Sequence, residues 1–98
     1  MKALWIIYDI VLDEDIRRLL DEFKVAGFTR WPRLSGRGPG SGARLDDHIW
    51  PGANAAVMTV QDEAIVAGLM TRLQVLRNEV GARTGVWAFT TPVLDSLN

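Results

Sequence analysis

The chain has 98 residues, 48% apolar and 23% charged, with a formal net charge of −1. That is the length of one domain (1–98) and the composition of a folded one. It lacks the surplus of Lys and Arg with which general nucleic-acid binders neutralise phosphates and polybasic segments hold membranes. There is no cysteine, which excludes disulfides, thiolate catalysis and cysteine zinc sites and suits a cytoplasmic location.

The first residues resemble the start of a signal peptide only briefly, because Asp9 interrupts the run and Asp13, Glu14 and Asp15 follow. No apolar run reaches the length of a membrane span, so no direct membrane insertion is expected. Residues 3–9, rich in β-branched and aromatic side chains, predict a first strand. Asp13 is the expected N-cap of a first helix, with Ile16, Leu19, Leu20 and Phe23 at helical spacing. Asp13–Arg17 and Glu14–Arg18 are spaced as i, i+4 pairs, and Gly27 is the expected stop. Residues 28–34 predict a second strand that Pro32 confines to an edge or a bulge. A third strand is expected over 54–60. A second helix follows, capped by Asp62, with Ile65, Val66, Leu69, Met70, Leu73 and Leu76 as its apolar stripe and Gly81 at its end. Residues 85–93 predict the last strand.

The order β-α-β-β-α-β is that of an α+β, ferredoxin-like split unit: a four-stranded antiparallel sheet with two helices on one face. The first and third strands should be central and the proline-bearing ones should be edges. Two helices cover one face only. Yet Leu4, Ile6 and Tyr8 alternate with Trp5 and Ile7, and Val86 and Ala88 with Trp87 and Phe89, so both faces are apolar. An apolar face of that size is a contact surface, and a second copy of the chain is its expected cover.

Between the second and third strands runs a connection far longer than compact domains use. It carries four glycines within 36–42, whose ordering costs backbone entropy, so a flexible segment is expected over about 35–50. Fold order, length and loop position resemble the PII signal-transduction superfamily along essentially the whole chain. Ser-Gly-Arg-Gly-Pro-Gly-Ser-Gly at 35–42 is similar to that family's basic, glycine-rich T-loop. His-Ile-Trp-Pro-Gly-Ala-Asn at 48–54 is similar to the return from the T-loop into the third strand. The resemblance implies a homotrimer, a cytoplasmic regulator and nucleotide sites in the clefts between subunits. Two departures stand out. Trp50 falls where better-known members place a tyrosine that is uridylylated, and an indole has no hydroxyl to modify. The Gly-Asp-Gly-Lys phosphate signature is replaced by Gly81-Ala82-Arg83-Thr84-Gly85.

Arg30, Arg33, Arg37 and Arg44 fall within 30–44, a stretch without an acid. Backbone amides of glycine-rich turns cradle anions, and arginine pairs phosphate or carboxylate bidentately. Arg33, Gly36, Arg37 and Gly38 are therefore candidate effector residues, with Arg83 and Thr84 assisting, within one subunit or from a neighbour. The alternative is a solvated charged loop. No strict phosphate motif is present. Arg44 and Trp50 are candidate partner contacts. Trp31 and Trp50 either grip a partner or pack together across the paired strands, the second being preferred.

Asp46, Asp47 and His48 are the clustered ligand-type residues. Asp47 with His48 is the candidate for a divalent metal, against the simpler reading of a turn. No serine has a nearby base and the acids sit where helix ends explain them, so no catalytic constellation is expected. The leading expectation is a non-enzymatic PII-like regulator. It would bind a small anionic effector, with an adenine nucleotide as candidate, and control a transporter or enzyme through its loop. The alternatives are a metal-responsive protein, similar to the CutA family, using His48 and a nearby Asp, and a small ferredoxin-like α/β-barrel enzyme.

Overall fold

A computed structural model describes residues 1–38, 42–44, 52–81 and 84–97, and for 42–44 the backbone. The chain runs β1 (Lys2–Asp9), a 3-10 turn (Ile10–Leu12), α1 (Asp13–Glu22), β2 (Thr29–Leu34), β3 (Gly36–Gly38), β4 (Gly42–Arg44), β5 (Asn54–Gln61), α2 (Glu63–Val80) and β6 (Val86–Pro92). The main sheet has the order β2-β5-β1-β6 with antiparallel pairs throughout. This is the expected ferredoxin-like arrangement, with the two most apolar strands at the centre and the proline-bearing ones at the edges. The long connection is not structureless where it is described: β3 and β4 form a short antiparallel ribbon, pairing Gly36 with Arg44 and Gly38 with Gly42.

The core lies between the sheet and the helices. Leu4, Ile6 and Tyr8 of β1, Ala55 and Val57 of β5 and Val86 of β6 meet Ile16, Leu19 and Leu20 of α1 and Val66, Leu69 and Leu73 of α2. These are the residues that period 2 in strands and period 3.6 in helices place on one face. Inside α2, Gly68 costs about 1 kcal/mol of helix propensity relative to alanine. Its place is explained by Phe23, whose Cε1 fills the space that a Cβ would take. The bare backbone lets the end of α1 close onto α2.

Several local expectations need correction. Asp13 does not cap α1: Leu12 occupies that position without a side-chain bond, and it is Asp9 that caps the 3-10 turn, its Oδ1 accepting from the Val11 amide at 3.1 Å. Upstream turn chemistry shifted the helix start, and Asp13 is thereby free for other partners. The helix ends at Glu22 rather than near Gly27, because Lys24 takes the left-handed conformation (φ 57°). Arg18 pairs with Asp15 (4.0 Å), not with Glu14, while Arg17 approaches Asp13 (3.9 Å) as expected. Asp62 stands at the N-cap of α2 without a side-chain bond, and Gly81 ends that helix with φ 80°. No helix among the described residues is long and apolar enough to cross a membrane.

Candidate functional site

The second sheet face carries an aromatic ladder. Trp5 stacks on Trp31 (5.9 Å between ring centroids) on one side and on Phe89 (6.0 Å, 7° between planes) on the other, and Phe89 meets Trp87 at 5.0 Å. Trp5 and Trp31 belong to β1 and β2, which flank β5 and lie about 10 Å apart. Their rings meet across β5, where Trp31 is paired with Ala56 and Trp5 with Met58. Trp31 thus packs on Trp5; the expected pairing of Trp31 with Trp50 falls outside the described residues, because Trp50 does. Neither helix covers this ladder, and Trp87 is 60% exposed.

The loop expected to carry function leaves the sheet at one end. Leu34 of β2 pairs with Asn54 of β5, Asn54 with Asp9 of β1, and the Asp9 amide donates to the Gly85 carbonyl at 2.8 Å. This row places the base of the arm and the turn after α2 at the same end of the sheet, on opposite edges. Three interstrand spacings, about 14 Å, separate them. Arg33, Gly36, Arg37 and Gly38 are together at the arm's base; Thr84 is at the far edge. Within one chain, the width of the sheet therefore lies between the backbone of the arm's base and that of Thr84. Gly36 passes so close to Asn54 that a Cβ there would lie 3.2 Å from Nδ2. Asn54 is therefore an amide beside the arm that sequence reasoning missed. Its signal was only a polar residue opening an apolar strand. Arg83, Trp50, Asp47 and His48 lie outside the described residues, and so does the side chain of Arg44. Among the described residues no three His, Asp or Glu side chains gather as metal ligands.

A second cluster was also missed. The Tyr8 hydroxyl donates to Asp13 Oδ1 at 2.6 Å, while Arg30 donates from Nε to Oδ1 at 3.0 Å and from Nη2 to Oδ2 at 2.9 Å. Burial raises the cost of charge on Asp13, but the hydrogen bonds from Tyr8 and Arg30 and the charges of Arg30 and Arg17 outweigh it and hold the carboxyl below its ordinary value. Burial, with the bond to Asp13, pushes Tyr8 up to about 12, so it stays a donor. A carboxyl whose folded pKa is depressed stabilises the fold fully above its unfolded value, near 4, and loses that contribution as pH falls through the folded one. The stability gap between the unaltered protein and Asp13→Asn in urea titrations is thus expected to be constant above about pH 5 and to shrink steadily below about pH 4. A gap independent of pH would refute the pairing.

No family model and no curated protein sequence matches the chain. Solved structures do. A PII-like signaling protein from Thermus thermophilus is 22% identical with a TM-score of 0.65, covering 92% of this chain and 83% of its own. CPII, a nitrogen regulatory PII-like protein from Thiomonas intermedia K12, bound to ADP, AMP and bicarbonate, is 24% identical with a TM-score of 0.72, covering 94% and 86%. A structure of CPII with ADP and bicarbonate is 26% identical, with a TM-score of 0.69 and the same coverage. The fold is therefore that of the PII-like proteins. Across nearly its whole length, the chain is similar in fold to these PII-like proteins.

Proposed function

We propose that the protein is a non-enzymatic PII-like regulator that works as a homotrimer. Copies associate through the aromatic ladder. They bring the arm base of one subunit (Arg33, Gly36, Arg37 and Gly38) against the turn of its neighbour (Arg83 and Thr84). The effector held there is an adenine nucleotide or another small anion, and its binding changes the presentation of the arm, with Arg44 and Trp50, to a target such as a transporter or enzyme. The observation that supports this reading is that the base of the arm and Thr84 lie on opposite edges of the same sheet end. A site built from both draws on a second copy. The nucleotide-bound state of CPII, which shares the fold, supports the choice of effector.

Titration calorimetry with ADP, AMP and bicarbonate tests it. Binding of at least one is expected, and Arg37→Ala is expected to weaken it roughly tenfold to a hundredfold, the worth of a charge-assisted hydrogen bond. Failure of all three, and of ATP, to bind would overturn the effector assignment; unchanged affinity in Arg37→Ala would remove Arg37 from the site.

A further inference from the structure

The strand that feeds the arm is weakly held by its backbone. β2 is an edge strand whose register with β5 covers Thr29, Arg30 and Trp31, then shifts before Leu34. Pro32, which has no amide to donate, lies in the shift. The last two residues in register point to opposite faces. Trp31 goes to the ladder, and Arg30 goes to the helix side, where its guanidinium fork closes on both oxygens of Asp13. Asp13 is itself fixed from behind by the hydroxyl of Tyr8, a core residue that is 1% exposed.

We propose that Tyr8, Asp13 and Arg30 form a latch that sets the position of the arm. A core side chain orients the first-turn carboxylate of α1, and that carboxylate holds the edge strand shortly before Arg33. Asp13 is a positioning residue; it lies on the helix side of the sheet, away from the arm-base anion groups. The latch links the arm mechanically to α1, so a movement of β2 must either carry Arg30 away from Asp13 or pull on the start of the helix. It belongs to the free chain and holds whether or not the effector is a nucleotide.

Trypsin reads the latch directly, because Arg37 is exposed in β3. Proteolysis of a native protein tracks the population of the open form when closing is fast. In ligand-free protein under fully native conditions, Asp13→Asn puts an NH2 group opposite the Arg30 fork and is expected to speed cleavage after Arg37 roughly tenfold. Arg30→Lys keeps the charge but loses the bidentate geometry. It should act in the same direction and carries the test should Asp13→Asn fail to fold. The comparison variant is Arg72→Ala, which removes the exposed ion pair with Glu22 between the two helices, a pair that does not involve β2. It is expected to leave cleavage after Arg37 unchanged. Equal cleavage in the unaltered protein and the latch variants, or equal acceleration by Arg72→Ala, would overturn the proposal.

Discussion

Trp87→Asp is expected to be a monomer at concentrations where the proposed homotrimer of the unaltered protein would assemble, read by size-exclusion chromatography with light scattering. Trp87 is 60% exposed in the single chain, so its loss removes little from the subunit's own packing and the effect falls on association. The rest of the ladder makes the same surface costly to leave in water. Trp5, Trp31 and Phe89 stack in a row across the sheet, and apolar area of this kind contributes about 25 cal/mol per Å2 when it is covered. Trp87 ends this ladder on edge strand β6, and loss of an aromatic anchor at an interface costs about 2 kcal/mol, which is roughly a 30-fold weakening. A carboxylate in its place adds the cost of burying a charge without a partner. A monomeric unaltered protein would sink the assembly reading, and a variant of unchanged mass would move the interface elsewhere. If the effector site joins the arm base of one copy to the turn of another, as proposed, the monomeric variant should also lose effector binding.

Leu69→Ala is expected to lower folding stability by about 2–5 kcal/mol, read as a drop in the urea midpoint at fixed protein concentration. Leu69 has no exposure and stands in the middle of α2, where the helix crosses the buried side chains of β1 and β6. A folded domain has about 5–15 kcal/mol in hand, so a loss of that size threatens a chain this short. A loss below about 1 kcal/mol would mean that α2 packs differently from the arrangement described. The position beside it behaves oppositely in kind: Gly68 owes its place to the ring of Phe23 rather than to any side chain of its own.

The order of elements, the central and edge strands and the split of apolar residues between two faces were all legible in the sequence. Each is a periodic pattern spread over many residues, and one misread position does not erase it. Helix boundaries were less legible. The start of α1 depends on which of several acids caps which turn, and Asp9 took that role ahead of Asp13. The stop depends on one backbone angle, at Lys24.

The arm itself was read from its glycines and arginines, and the candidate anion residues followed from residue type alone. The placement of Arg33, Gly36, Arg37 and Gly38 at one edge and of Thr84 at the other did not, because it depends on the pairing of Leu34, Asn54, Asp9 and Gly85 across four chain segments. By itself, then, the sequence determined a ferredoxin-like fold with one uncovered apolar face and a long basic arm, since local periodicity and composition suffice for those. Only the tertiary structure decided what Tyr8, Asp13 and Arg30 do. They come from a strand, a helix and another strand, with Arg30 seventeen residues beyond Asp13, and hydrogen bonds of a few ångströms exist only once packing has brought them together.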